Sequence, residues 1–221
     1  MRFVYYPIEH IFCFNEGTAN ELVIENKKMF REILCDLAEQ TEGKSGNAVL
    51  SIKDTPVEIC KHAEIIEKFI PFDINTKTLV GCLCKAIEKE AVRDENFAKT
   101  SELLALAEKY LYDICLDFPC EISFSKLNIG AIVKAVSPQF DDTDKPTLEK
   151  LLDYMSLVRE FDREKLFILI NLRCYYDDND MNEFIKTAIS HDFKLLLLES
   201  TAFTPLQNVV RVIIDEDLCE I

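Results

Sequence analysis

The chain has 221 residues, nearly half of them hydrophobic, with 5 Gly and 7 Pro, a composition that excludes disorder and leaves room for one large domain or two small ones. Its 25 basic and 40 acidic residues give a formal net charge of −15, which opposes nucleic acid for the molecule as a whole and restricts any such contact to a local basic surface. No apolar run reaches the roughly 18 residues of a membrane span, and MRFVYYPIEHIF lacks the features of a signal peptide, so a cytoplasmic protein with no membrane partner is expected.

Arg2–Tyr6 and His10–Phe14 read as an opening hairpin with Pro7 at the turn, and Leu22-Val-Ile-Glu25 as a short apolar run. Met29, Phe30, Ile33, Leu34 and Leu37 then mark one face of a helix, and Ala48–Ile52 a strand. Between these two lies QTEGKSG, Gln40 to Gly46, which ends like the phosphate-cradling motif G-x-x-x-x-G-K-[ST]. The position of the motif's first glycine holds Ala38. The order is also helix, turn, strand, whereas a phosphate loop leaves a strand and enters a helix. Gly43 therefore reads as a helix-ending residue followed by a solvated turn.

From Thr76 the period turns helical. Leu79, Leu83, Ala86 and Ile87 mark one face; Leu103, Leu104, Ala107, Tyr110, Leu111 and Ile114 mark a longer helix; Leu127–Val136 makes a third, stopped by Pro138. A fourth follows the acidic turn Asp141–Asp144, with Pro146 in its first turn and Leu148, Leu151, Leu152, Met155 and Val158 inward. The four read as one antiparallel bundle. Leu166–Asn171 and Lys194–Glu199 are buried strands flanking a helix capped from Asp177–Asp180, and Val209–Ile214 is a third strand. Strand, helix, strand at this spacing implies a parallel sheet. The fold expected is a discontinuous α/β domain at 1–75 and 161–221 with an inserted α-helical domain at 76–160.

Nine scattered cysteines read mostly as small core residues. Cys82-Leu-Cys84 lacks the spacing of a zinc pair, so no zinc is expected, and His10, His62 and His191 fall in no nucleophile motif. Residues 76–134 carry 9 acids and 8 bases, against 10 and 3 in 177–221. An anion-binding surface is therefore expected in the middle of the chain. Its candidates are Lys85, Lys89 and Arg93, spaced four apart on one helix face, and Lys126 with Lys134, eight apart; Lys27, Lys28 and Arg31 cluster early in the first helix. Each set also reads as a solvated stripe.

Leu22–Glu25 before a helix, Phe72-Asp-Ile-Asn75 before the helical insert, Leu166–Asn171, Leu195–Glu199 and Ile214-Asp-Glu-Asp217 resemble, in joint order and spacing, the small CRISPR-associated adaptation protein of type II-A systems. The resemblance covers nearly the whole chain. It implies a tetrameric ring of degenerate P-loop-like α/β heads and helical legs that holds double-stranded DNA ends in its central hole during spacer acquisition. It implies no enzymatic activity and no nucleotide, with other adaptation proteins and the effector nuclease as partners. It also implies calcium held by carboxylates of the helical part, here Asp117 and Glu121. Ser123, Ser125 and Lys126 stand where further acids are expected, so weak calcium binding or an ion-independent tetramer follows. Two other readings stay open: a nucleotide-dependent enzyme or regulator on the P-loop-like head, and an acidic scaffold that binds only proteins.

Overall fold

A computed structural model describes residues 1–162 and 164–221, the Asp162 side chain excepted. The chain forms two compact units, one from Met1–Phe72 with Lys145–Ile221 and one from Asp73–Asp144.

The first unit is α/β. Its strands are β1 (Arg2–Tyr5), β2 (Phe12–Cys13), β3 (Ala19–Ile24), β4 (Ala48–Ile52), β5 (Thr55–Val57), β6 (Ala63–Ile66), β7 (Leu166–Ile170), β8 (Lys194–Glu199) and β9 (Val209–Ile214). Its helices are α1 (Lys27–Thr41), α2 (Ile59–His62), α6 (Thr147–Asp162) and α7 (Asp178–Ser190), while α3 (Lys77–Ala91), α4 (Asp94–Cys115) and α5 (Ile129–Val136) form the second unit. A parallel sheet runs in the order β6-β7-β8-β3-β9. β3, β7 and β8 are its inner strands, which explains their near-continuous apolar runs.

The opening hairpin forms as expected, with Phe3 opposite Phe12. It and β4 do not join the parallel sheet; with β5 they make a separate antiparallel sheet in the order β2-β1-β4-β5. The reason is alternation: Phe3, Tyr5, Ala48 and Leu50 are buried while Val49 is exposed, the pattern of a sheet covered on one face. That covered face meets α1 and one face of the parallel sheet, so Phe3, Phe12, Ile33, Leu37, Leu22, Ile168 and Leu196 share one core. Period two turns Phe167, Leu169, Leu195 and Leu197 to the opposite face, where Phe167 packs edge-on against Phe193 at 5.7 Å. Also buried there by helical spacing are Met181, Phe184 and Ile185 of α7.

The expected insert, 76–160, is longer than the helical unit because α6 belongs to the α/β unit. Leu151, Tyr154, Met155 and Val158 are buried, the Tyr154 hydroxyl donates to Glu64 of β6 at 2.6 Å, and α6 touches α7. Apolar positions at helical spacing fix which face is inward, not which neighbour it meets. The cysteines depart further: five are exposed, four half-buried, and all are free. Cys35 adjoins Leu34 in sequence, but successive helical residues point about 100° apart, and its thiol faces out.

The QTEGKSG stretch forms the turn expected of it. Gly43 has φ +86°, its N–H donates to Gln40 O and that of Lys44 to Glu39 O, which closes α1 in a Schellman motif. Gln40 then pairs with Ala48 through both amide atoms, Nε2 to O at 2.8 Å and Oε1 from N at 3.1 Å, and Asp36 accepts from Asn47 N at 2.8 Å. Gly46 lies between these side chains: a Cβ there would stand 2.3 Å from Asp36 Oδ1 and 2.6 Å from Gln40 Cδ. Because both side chains are held by bonds, they cannot turn aside freely. Gly46→Ala should therefore cost about 1–3 kcal/mol in urea unfolding, while Lys44→Ala, at an exposed pair with Glu42, should stay within about 0.5 kcal/mol. Equal effects would show that the turn does not pack as described.

Candidate nucleic-acid interface

The helical unit is closed by one side chain. Asn75, just before α3, donates to Phe140 O at 3.1 Å and accepts from Phe140 N at 2.8 Å, so a single amide ties the two ends of the insert. Thr76 caps α3 and Asn128 caps α5, each accepting from a backbone N–H three residues on. α5 packs on α3 through a glycine: a Cβ on Gly130 would approach Glu88 Oε1 to 2.8 Å.

Lys85 and Lys89 lie one turn apart on α3 and are both exposed. Arg93 is not on that face. α3 ends at Ala91, and Arg93 is the N-cap position of α4, paired with Glu90 at 2.8 Å. Lys126 and Lys134 do not share a helix either: α5 starts at Ile129, so Lys126 sits in the irregular segment before it, where Glu108 holds the next residue's N–H at 3.0 Å. Lys134 is in the last turn of α5, where a cation also complements the helix dipole. Among the described residues, none of Lys85, Lys89, Lys126 and Lys134 is in an ion pair. In the α/β unit, Lys27 and Lys28 occupy the exposed first turn of α1, opposed to its dipole, and Lys28 pairs with Glu32 at 3.8 Å.

Asp117 and Glu121 are exposed in the segment after α4. Calcium takes about six to eight oxygens, and no group of three or more potential metal-ligating side chains occurs among the described residues. The two carboxylates do not by themselves fit calcium. The stronger feature of this unit is apolar. Of the face expected inward on α4, Leu104 and Ala107 are half-buried, whereas Leu103, Tyr110, Leu111 and Ile114 are exposed, as is Leu106, and none of its 22 residues is buried. The sequence pattern was that of a covered helix, and no described residue of the helical unit covers this one fully.

At the carboxyl ends of the parallel strands, where open α/β sheets hold ligands, β3 passes into α1 through Glu25 and Asn26 alone. Asn26 is spent on the helix cap and on Glu216 O, leaving no loop long enough to cradle phosphates. Asn171, after β7, accepts from Ser200 N and Oγ at 2.8 and 2.9 Å, tying β7 to β8. Beside it lies an arrangement that the sequence reading missed. Glu21 is fully buried, and its carboxylate receives Arg173 at 2.8 Å and Arg211 on the other oxygen. Arg173 also reaches Asp178 at 2.8 Å and Thr204 O at 2.7 Å, with Phe203 under its guanidinium. The available signal was charge inside apolar runs, as in Glu21-Leu-Val-Ile and Val-Val-Arg211-Val.

Glu199 ends β8 fully buried. Its Oε1 accepts Arg173 N at 3.2 Å, while Oε2 has no partner. Burial, with Glu21 adding repulsion against the opposing pull of Arg173, raises its carboxyl from 4.5 to about 8. No helix among the described residues is long and apolar enough to cross a membrane.

A family model described as CRISPR-associated protein (Cas_Csn2) matches residues 40–218. No curated protein matches the chain.

Glu199 makes stability pH-dependent in a stated direction. An acid whose folded value lies above its unfolded one keeps its proton in the native state, so it weakens folding progressively as pH rises from about 4.5 to about 8 and by its full amount above that. Thermal melts of Glu199→Gln should fall less between pH 6 and pH 9 than those of the parent. Parallel profiles would mean that Glu199 is ionised in the fold at neutral pH.

Proposed function

The chain belongs to the Csn2 family of CRISPR-associated proteins, which act in CRISPR adaptation and antiviral defence, and we propose that it serves there as a non-enzymatic ring that binds double-stranded DNA ends without regard to sequence. The observation that carries this reading is α4: a helix of 22 residues with no buried side chain, bearing Leu103, Leu106, Tyr110 and Ile114 in the open at helical spacing. Exposed apolar stripes of this kind are paired in assemblies, and the occupant of this one is a further copy of the same helical unit, four chains making the ring. Symmetry then answers the charge problem. A monomer at −15 repels DNA, but four copies of Lys85, Lys89, Lys126 and Lys134 facing one duplex form a local basic surface. Lys27 and Lys28 are further contacts on the same reading. Contacts to phosphates alone carry no base readout, so binding is sequence-independent. Assembly does not depend on calcium, since Asp117 and Glu121 lack companions. Other adaptation proteins and the effector nuclease are the partners.

The rival reading, a nucleotide-dependent enzyme, has no observation in its favour: the GKSG turn closes a helix, and the strand-to-helix connection after β3 is two residues long.

Native mass measurement in chelator should give a tetramer, and Leu106→Glu with Tyr110→Glu should reduce it to smaller species with unchanged helical content; a parent that is monomeric at all concentrations overturns the ring. Linear duplex should bind and the same DNA as a closed circle should not, with salt dependence steep. Lys126→Glu with Lys134→Glu should cut affinity at least tenfold in a protein that is still tetrameric, whereas changes at Lys186 or Lys194 should do little. Equal binding of circular and linear DNA would exclude threading through a central hole.

A further inference from the structure

The face of α4 opposite its apolar stripe borders an open cleft. The irregular segment after α4 returns along the helix, and Glu108 Oε1 accepts Leu127 N at 3.0 Å. Between helix and segment the cleft measures about 820 Å³, inside the range of roughly 300–1,000 Å³ that small-molecule sites occupy. Ala105 and Ile122 give it an apolar wall, and the rings of Tyr112 and Phe124 line it at 58% and 48% exposure. Lys109 and Lys126 line it as well, both exposed, and neither is in an ion pair among the described residues. Its only lining acid, Glu108, is the group that holds Leu127 N. A second cleft of about 540 Å³ shares Tyr112, Ile122 and Phe124 and adds the ring of Phe118, with Glu121 as its charged residue. The trough therefore runs on past both shared rings, and its cations stand at one end.

Rings to stack a flat group beside free cations to meet an anion are the two halves of a nucleotide site. Stacking accepts any base, because every base has a π-face, and lysines meet phosphate without reading sequence. A base within a duplex is already paired and stacked and must leave the helix to reach such a cleft, whereas an unpaired one is free to enter. The position also matters. At about 100° per residue, Ala105, Lys109 and Tyr112 fall on the side of α4 away from Leu103, Leu106, Tyr110 and Ile114, so assembly through that stripe leaves the cleft open.

We propose that this cleft receives an unpaired nucleotide at a DNA strand end, its base stacked on Tyr112 and Phe124 and its phosphates on Lys109 and Lys126. The proposal rests on the reading that the protein binds DNA ends, and it adds a preference for ends with a single-stranded tail.

The probes are a blunt duplex, the same duplex with a short thymidine tail on either strand end, one whose tail consists of abasic residues, and free oligothymidylate, each titrated against the full chain. A thymidine tail should raise affinity over the blunt end by about fivefold or more, the gain from one stacked base, and the abasic tail should give none of it. Tyr112→Ala with Phe124→Ala, both at exposed positions, should remove the gain and leave blunt-duplex affinity and native mass unchanged. Lys109→Gln should weaken oligothymidylate binding and reduce its salt slope by about 0.7, one single-strand phosphate. Thymidine monophosphate, which offers the same chemistry without a strand, should compete at least tenfold less well than the oligonucleotide. The proposal is overturned if tailed and blunt duplexes bind alike, if the abasic tail gives the same gain, if the double variant keeps it, if Lys109→Gln leaves the salt slope unchanged, or if the mononucleotide competes equally. A blunt duplex that does not bind at all overturns the DNA-end reading instead. In that event oligothymidylate that binds the parent and not the double variant upholds the cleft, and oligothymidylate that binds neither overturns both.

Discussion

A carboxylate in the middle of a parallel sheet survives only where cations meet it, and Glu21 is met by two. Desolvating an ion costs several kcal/mol, and removing one member of a buried pair typically costs about 3–5 kcal/mol, so Glu21, Arg173 and Arg211 stand or fall together. Their geometry fixes more than themselves. Glu21 is on β3, Arg211 on β9, and Arg173 on the turn that follows β7. Through Arg173 the network reaches Asp178 at the start of α7 and Thr204 in the connection between β8 and β9, and through Arg211 it reaches Phe203. That connection must cross β3 to place β9 on its far side, and two guanidinium groups bind its carbonyls where it does so.

Two members of the same network, Arg173 just after β7 and Glu199 at the end of β8, lie at the carboxyl strand ends where other α/β sheets hold a ligand. Arg173 is only 3% exposed; its positive charge is consumed by Glu21 and Asp178 and its N–H by Glu199. Desolvation also pushes the neighbouring Cys174 thiol up from its ordinary value.

The two units satisfy their apolar residues differently. The α/β unit covers both faces of its central sheet with α1 and the antiparallel sheet on one side and α6 and α7 on the other. The helical unit buries little beyond Ile74, Leu79 and Val133 and leaves Phe97, Leu106 and Tyr110 at 60–65% exposure. Its stretch 76–134 is close to charge balance, with 9 acids and 8 bases. Apolar exposure without charge repulsion is what association needs, and isolated cations on the same unit are what a polyanion needs.

Local pattern determined much of this. β7, β8 and β9 were legible as strands from their apolar runs, fully buried in β7 and nearly so in β8, whereas Leu22–Ile24 of β3 was legible only as a short apolar run. The helices were legible from their period, and Gly43 as the end of α1 because a left-handed residue closes a helix best without a side chain. β5, α2 and β6 were not legible, being three or four residues long with too few positions to show a period. The basic residues were legible as candidates but not as a surface: spacing in sequence put Arg93 with Lys89 and Lys126 with Lys134, and helix ends at Ala91 and Ile129 separate each pair. Which neighbour an apolar face meets was likewise beyond the sequence. The stripe on α6 and the stripe on α4 have the same period, yet the first is buried in the α/β unit and the second is bare. The pairing of Glu21 with residues more than 150 positions away came from the fold alone, because strand order, not chain order, decides which charges share one buried point.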